Sequence, residues 1–121
     1  MTCAILLVDH GSRNDEANRL LDEVAAKLRE RANDRVVRVA HMDLAEPSIS
    51  QGIDACVAVG ATEIVVHPYF LGPGRHTTED IPRLVGEASA RYPGLAVRIS
   101  PPLGVHDKLI EVILARIGET D

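Results

Sequence analysis

The sequence predicts a three-layer α/β domain whose four-stranded parallel sheet has the order 2-1-3-4. Four short apolar runs alternate with four stretches in which apolar residues recur at helical spacing. Strands that alternate with helices pair in parallel through right-handed crossovers. Because the strands are apolar throughout, helices are expected on both faces of the sheet. The length of 121 residues suits one domain, residues 1–121, with a single core.

The first half of the chain contains two strand–helix units. The run at residues 3–8 is apolar, and residues 14–31 carry apolar side chains at i, i+3, i+4 and i+7, which is one stripe of a helix. A second apolar run at 36–42 precedes a helix with Pro47 in its first turn, where proline is favoured. That helix is expected to end at Gly60.

The second half repeats the pattern after a long loop. Residues 63–67 form the third strand, the third helix begins between Asp80 and Pro82, and residues 95–99 form the fourth strand. The order of elements favours a flavodoxin-like domain. A last helix starts near His106. Its apolar stripe is expected to face the sheet through Leu109, Ile110, Ile113, Leu114 and Ile117.

Composition excludes several classes of protein. The formal net charge is −5, with no Trp, two Tyr and one Phe, so a nucleic-acid partner is not expected. No run approaches the ~20 apolar residues of a membrane span. The N-terminal residues lack the features of a signal peptide, which predicts the cytoplasm. Cys3 and Cys56 each lie in an apolar stretch and are expected to be buried, reduced thiols.

All five histidines fall at one edge of the predicted sheet. His10 follows the first strand, His41 ends the second, His67 ends the third, His76 lies in the loop beyond it, and His106 follows the fourth. In open α/β sheets, ligands bind outside the carboxyl ends of the strands. This edge is therefore the expected functional site.

His10 and His76 are the strongest candidates in this set. Gly11 follows His10, and residues 72–74 (Gly-Pro-Gly) precede His76, so a ligand can approach the backbone closely at both places. Strands 1 and 3 are neighbours in the expected order, which directs both side chains into one crevice. Two neutral imidazoles and a carboxylate such as Asp43 form a common, partly open site for a divalent transition metal.

The other motifs have simpler interpretations. His67 can be interpreted as a residue at a strand end that bonds to the backbone. His41 can be interpreted as a half-buried polar group, and His106 as the N-cap of the last helix. The segment 11–14, with Arg13, could bind an anion at a helix start. The Gly-Pro-Gly turn lacks the Lys-Ser/Thr of a P-loop.

Four segments resemble the class II tetrapyrrole chelatases of the sirohydrochlorin cobaltochelatase and ferrochelatase type, in their short single-domain form. They occur in the family's order and cover nearly the whole chain. The most specific is the third. The segments are LLVDHGSRND (6–15), HMDLAEPSI (41–49), VHPYFLGPGRHTTEDIP (66–82) and PPLGVHDKL (101–109).

The resemblance implies an enzyme that inserts a divalent metal ion into sirohydrochlorin, in cobalamin or siroheme biosynthesis. No ATP or organic cofactor is expected. Cobalt is favoured as the metal, with iron and nickel as alternatives. His10 and His76 match the family's metal-binding and catalytic histidines, and Asp43 is the third expected catalytic residue. The expected substrate-binding residues are Gly11, Ser12, Arg13 and Arg75.

The sequence departs from the family at residues 41–44, which read His-Met-Asp-Leu where relatives carry Phe-Leu-Glu-Leu. Aspartate is shorter than glutamate by roughly 1.5 Å, about one C–C bond. If the strand persists to Asp43, His41 shares its face and could supplement the shorter acid.

The short form also implies a homodimer, because one domain supplies only one wall for a flat macrocycle.

The alternative function is a non-catalytic carrier of metal or tetrapyrrole with the same fold. A third interpretation is a subunit that acts only beside a different partner. Turnover of sirohydrochlorin distinguishes an enzyme from a carrier.

Overall fold

The computed structural model describes residues 2–121 and confirms the α/β architecture and the strand order β2-β1-β3-β4, with all three strand pairs parallel. A single π-helical turn, His76–Asp80, leads into the third helix. The strands are β1 (Thr2–Asp9), β2 (Val36–His41), β3 (Ala61–Pro68) and β4 (Ala96–Ile99), and the helices are α1 (Asp15–Arg31), α2 (Ile49–Ala58), α3 (Ile81–Ser89) and α4 (Asp107–Gly118).

The larger core lies between the sheet and the pair α2 and α3. Leu6, Ile53, Ile64 and Ile81 are fully buried there. A Cβ atom on Gly52 would lie 2.8 Å from Leu6 Cδ1, so glycine lets α2 approach β1 closely. This packing fixes the carboxyl ends of β1 and β3 relative to one another.

A smaller core lies on the opposite face of the sheet. There α1 buries Leu21 and Ala25 against Leu7 of β1 and Val37 of β2. Asn14 caps α1 by accepting a hydrogen bond from the Glu16 amide. Because α1 sits over β1 and β2, the β3 side of this face has no helix of the described chain above it.

The expectation that α4 packs on the sheet is wrong for the described chain. No residue of α4 is buried, and Ile113 and Leu114 are 52% and 63% exposed. The segment that precedes α4 is held against the loop after β3, and this directs the helix away from the sheet. The apolar stripe is present as the sequence predicts, but it faces solvent.

One helix boundary differs from expectation. Pro47 precedes the second helix instead of lying in its first turn, because Ser48 and Gln51 form a capping box that starts the helix at Ile49. The third helix begins at Ile81, within the expected range from Asp80 to Pro82. The π-helical turn before it was not expected, and it makes His76 part of a helical turn.

Both cysteines are free, and Cys56 is buried, which raises the pKa of its thiol to about 11. Cys3 is only partly buried.

Within residues 2–121, no helix has the length and hydropathy that crossing a bilayer requires.

Candidate active site

The structure brings His10 and His76 together at the carboxyl edge of the sheet. His10 follows β1 directly, and His76 opens the helical turn before α3. Their ring centroids are 4.9 Å apart, and the ring planes are inclined by 68°. Two imidazoles that bind one ion through metal–nitrogen bonds of about 2.1 Å have centroids roughly 5 Å apart. The spacing therefore suits a metal ion shared by the two rings.

Each of these rings has an acceptor at Nδ1. His10 Nδ1 lies 3.1 Å from the carbonyl oxygen of Gly11, and His76 Nδ1 lies 2.9 Å from Asp80 Oδ2. A carbonyl or an ionised carboxylate only accepts, so Nδ1–H is the donor in both neutral rings. The lone pair of each Nε2 is then available. Histidines that bind metals typically have this arrangement.

Asp80 is a functional candidate that the sequence reasoning missed. The hydrogen bond from His76 is the main cause that lowers the pKa of this carboxyl group, and Arg83 adds a weaker effect. An ionised Asp80 fixes the orientation and tautomer of the imidazole that donates to it. The sequence contains a signal for this pair, because residues four apart share a helix face, but the pattern around His76 predicts a loop.

Gly11 is needed where it lies because two loops meet there. Its φ is +92°, and a Cβ atom would fall 1.9 Å from the Asp43 carbonyl oxygen. The Asp43 amide donates to the His10 carbonyl at 2.9 Å, which holds the loops after β1 and β2 together. The glycine after the histidine therefore permits the backbone contact that positions His10.

Ser12 is bound within its own loop. Its amide donates to Asn18 Oδ1 at 2.9 Å, and Asn18 Nδ2 donates to the Ser12 carbonyl at 2.7 Å. The Ser12 hydroxyl accepts from the Asn14 amide at 3.0 Å. These bonds fix the loop at the start of α1, and a substrate contact from Ser12 stays a prediction.

The two arginines expected to bind substrate are both exposed. Arg75 is 81% exposed, and its Nε lies 3.7 Å from Glu79 Oε2. Such surface pairs are weak. Arg13 lies beside Ser12 on the loop before α1 and is also exposed. Both side chains are therefore free to reorient toward an anionic ligand at this edge, and their roles stay predictions.

The structure does not place the Asp43 carboxylate with the histidine pair as one ligand set. Asp43 is exposed, and its Oδ1 accepts from the Leu44 amide at 2.8 Å. Within residues 2–121, no three or more His, Cys, Asp or Glu side chains are grouped to hold a metal ion. The carboxylate is near the site through its backbone, and its chemical role stays a prediction.

The expectation that His41 shares a strand face with Asp43 is wrong, because β2 ends at His41. His41 is 3% exposed, so it is more deeply buried than expected. Its Nδ1 lies 2.5 Å from Asp9 Oδ1 on the neighbouring strand. This contact links the ends of β1 and β2.

The remaining histidines have structural partners. His106 caps α4 by accepting from the Lys108 amide at 3.1 Å, which confirms the expected N-cap. His67 Nδ1 lies 2.8 Å from the Ser100 hydroxyl oxygen. Burial is the main cause that lowers the pKa of His67.

Aromatic residues after β3 form one wall of the site. A cleft of about 360 Å³ runs from Asp9 and His10 to Tyr69, Phe70 and Leu71. The ring of Phe70 is stacked with the ring of His76, with centroids 6.5 Å apart and planes 28° apart. An apolar wall beside an imidazole pair suits a flat, conjugated ligand. The sequence reasoning did not single out these aromatic residues.

Two solved structures share the fold of this chain. SirB from Bacillus subtilis with Fe3+ superposes with a TM-score of 0.92 and 30% identity, over 99% of this chain and 48% of that chain. The sirohydrochlorin chelatase SirB from Bacillus subtilis subspecies spizizenii, in complex with cobalt, gives a TM-score of 0.92 and 31% identity over 98% of this chain and 51% of that chain. Fold and site together define an α/β domain of the chelatase type.

The chain belongs to the CbiX family, whose model matches residues 4–120. It is 44% identical to the chloroplastic sirohydrochlorin ferrochelatase of Arabidopsis thaliana over 93% of this chain and 50% of that protein. It is 30% identical to a sirohydrochlorin cobaltochelatase of Methanococcus maripaludis over 93% of this chain and 96% of that protein. The chain thus spans about half the length of the plant relative and nearly all of the archaeal one.

Proposed function

We propose that the protein inserts a divalent metal ion into sirohydrochlorin without ATP, as a sirohydrochlorin chelatase of cobalamin or siroheme biosynthesis. Cobalt is the favoured metal, with Fe2+ and Ni2+ as alternatives. The relatives named above support the reaction class, because their names include both cobaltochelatases and ferrochelatases. Imidazole nitrogens bind all three metals, so the residues present fit each of them.

The observation that carries this proposal is the paired arrangement of His10 and His76. The rings lie 4.9 Å apart, and each Nδ1 is held by an acceptor, which leaves two Nε2 lone pairs at one edge of the sheet. Two protein ligands leave most of the coordination sphere of a divalent metal open. An open site suits an ion that is delivered to another ligand rather than retained.

Proton transfer is the second requirement of the reaction. A free tetrapyrrole carries two inner N–H protons, and both must leave as the metal enters. An imidazole that releases the metal regains a basic Nε2 and can accept one of them. Asp43 is the proposed second acceptor, because its carboxylate is exposed beside the His10 loop.

Substrate binding is proposed to use the aromatic wall and the two exposed arginines. Phe70 would face the flat macrocycle, and Arg13 and Arg75 would pair with its carboxylates. The net charge of −5 opposes an anionic ligand only weakly, because distant exposed charges are screened beyond about 8 Å at physiological salt. Holding the ring nitrogens near the bound ion provides most of the rate enhancement through proximity.

We further propose that the protein acts as a homodimer in the cytoplasm. One domain provides one wall for the macrocycle, and a symmetric partner would provide the other. The free thiols Cys3 and Cys56 support a reducing compartment.

An absorption time course tests the proposed reaction. Sirohydrochlorin is mixed with the protein and Co2+, Fe2+ or Ni2+, and the spectral change of metal insertion is compared with the reaction without protein. A chelatase gives many turnovers per protein chain and ranks the metals. A carrier gives at most one equivalent of bound metal or tetrapyrrole with no acceleration, and that result would overturn the proposal.

A further inference from the structure

One peptide group connects the ring of His10 to helix α1. This peptide joins Gly11 to Ser12. Its carbonyl oxygen accepts from His10 Nδ1 at 3.1 Å, and its N–H donates to Asn18 Oδ1 at 2.9 Å. The imidazole of His10, the peptide and the side chain of Asn18 therefore form one continuous chain of hydrogen bonds.

The orientation of the Asn18 amide is fixed by a second contact. Asn18 Nδ2 donates to the Ser12 carbonyl oxygen at 2.7 Å. A reversed amide would place its NH2 group against the Ser12 N–H and its oxygen against the Ser12 carbonyl, and both contacts would be repulsive. The oxygen of Asn18 must therefore face the N–H of the peptide that His10 binds.

Asn18 is also placed on a rigid element. It lies within α1, four residues after the N-cap Asn14, and its side chain is partly buried. Asparagine is a poor helix former, because its side chain competes with the helix backbone for hydrogen bonds. At this position the side chain makes both of its hydrogen bonds to the loop before the helix. A residue that costs helix stability while it binds a neighbouring loop points to a role in that loop.

The two histidines of the candidate site depend on different acceptors at Nδ1. His76 donates to the carboxylate of Asp80, whereas His10 donates to a neutral peptide carbonyl. A peptide whose N–H is itself hydrogen-bonded is the stronger acceptor at its carbonyl. Asn18 provides that bond, and it lines the cleft that contains His10. It therefore stands to His10 as Asp80 stands to His76, with one peptide group between the two side chains.

We propose that Asn18 is the positioning residue of His10. It fixes the plane of the Gly11–Ser12 peptide, and the carbonyl of that peptide keeps the proton of His10 on Nδ1. The lone pair of Nε2 is then available to the metal. The inference deepens the proposed function and rests on it in one respect, since His10 is taken as a ligand of the metal.

A purely structural role of Asn18 makes a different prediction. If Asn18 only secured the start of α1, its loss would resemble the loss of Asn14, whose Oδ1 caps the same helix by accepting from the Glu16 amide. Asn14→Ala is therefore the matched control. It removes a side-chain hydrogen bond at the same helix start without touching the Gly11–Ser12 peptide.

Nitrogen-15 NMR of the histidine rings tests the proposal without metal or tetrapyrrole. Asn18→Leu keeps nearly the same shape and removes both polar groups. At about pH 8.5, where imidazoles are mostly neutral, it should lower the ratio of the Nδ1–H to the Nε2–H form of His10. The expected fall is roughly threefold or more, within the range that one hydrogen bond contributes. The ratio for His76 should not change, because Asp80 still accepts its proton. An unchanged His10 ratio, or an equal change in Asn14→Ala, would overturn the proposal.

A Co2+ titration measures the consequence for metal binding. Asn18→Leu should weaken binding about 10-fold, the low end of the effect of removing a residue that orients a metal ligand. Asn14→Ala should bind Co2+ like the wild type. Wild-type affinity in a folded Asn18→Leu variant would overturn the proposal.

Amide hydrogen exchange of the wild-type chain tests the same bonds without any substitution. The Ser12 amide donates to Asn18, whereas the Arg13 amide donates to no acceptor within residues 2–121. After correction for intrinsic rates, the Ser12 amide should exchange at least about 10-fold more slowly than the Arg13 amide. Equal corrected rates would show that Asn18 does not hold the peptide, and they would overturn the proposal.

These outcomes are separable from the proposed function. The ring tautomers and the amide exchange need neither metal nor substrate, so they report on Asn18 even in a protein without chelatase activity. Metal insertion by a protein whose His10 tautomer is independent of Asn18 would overturn this inference alone and leave the proposed reaction in place.

Discussion

His76 Nδ1 lies 2.9 Å from Asp80 Oδ2, and the two residues are one turn apart in the helical segment that leads into α3. Asp80 thus determines which nitrogen of His76 faces the site. The carboxylate therefore belongs to the candidate metal site as the hydrogen-bond partner of His76.

Asp80→Ala should weaken Co2+ binding about 10- to 100-fold, because His76 loses the acceptor that orients and polarises it. Glu79→Ala is the matched control, since Glu79 is the adjacent carboxylate and is 70% exposed beside Arg75. Calorimetric titration of the folded variants with Co2+ measures the difference. Equal affinities for the two variants would show that Asp80 does not support the ligand.

His10→Ala and His76→Ala should each abolish metal insertion, because each removes one of the two paired imidazoles and no third His, Cys, Asp or Glu within residues 2–121 completes the set. His106→Ala is the control. It should retain activity and lose about 1 kcal/mol of stability, the usual cost of losing an N-cap. Insertion assays and urea unfolding of all three variants test this. Wild-type insertion by a folded His10 or His76 variant would remove the basis of the proposed site.

Asp43→Ala should lower turnover if the carboxylate accepts a proton from the macrocycle. Asp43→Glu restores the family's usual residue and should retain or raise activity, with a change in the ranking of metals. The measurement is the rate of insertion with Co2+, Fe2+ and Ni2+. Should Asp43→Ala behave like the wild type, Glu46 becomes the next candidate acceptor, although its Oε2 accepts from Gln51 Nε2 at 2.9 Å.

Gly11→Ala should destabilise the fold by about 3 kcal/mol or more, because it combines a left-handed φ of +92° with a backbone clash. Gly74→Ala is the matched control near the site, since its Cβ would meet nothing within 4 Å and its φ is not positive. Urea unfolding of both variants gives the comparison. A Gly11→Ala variant as stable as the control would mean that the loops after β1 and β2 are not held in contact.

Acidification should destabilise the protein through His67. Burial lowers the pKa of this histidine below 6.5, so the unfolded state binds more protons between that lowered pKa and pH 6.5. Stability therefore falls as pH drops through this window. His67→Gln should lose less stability than the wild type between pH 7.5 and pH 5. Parallel losses in urea unfolding at the two pH values would contradict this assignment.

The fold could largely be predicted from the sequence because local periodicity encodes it. Apolar runs and helical stripes fixed the order of elements, and the crossover rule then left few topologies, so the order β2-β1-β3-β4 is confirmed. The close pairing of His10 and His76 was also predictable. It follows from the rule that ligands bind beyond the carboxyl ends of neighbouring strands.

Only the tertiary structure could show the features that depend on contacts between residues distant in sequence. The burial of His41 against Asp9 and the contact of Gly11 with the Asp43 backbone each join segments that are distant in sequence, so no local pattern predicts their approach. The same holds for α4. The sequence predicts the apolar stripe of α4, but the direction of the helix is set by hydrogen bonds from Leu103 and Gly104 to the loop after β3. An apolar stripe predicts which face of a helix can be buried. Only the path of the chain decides which surface that face can contact.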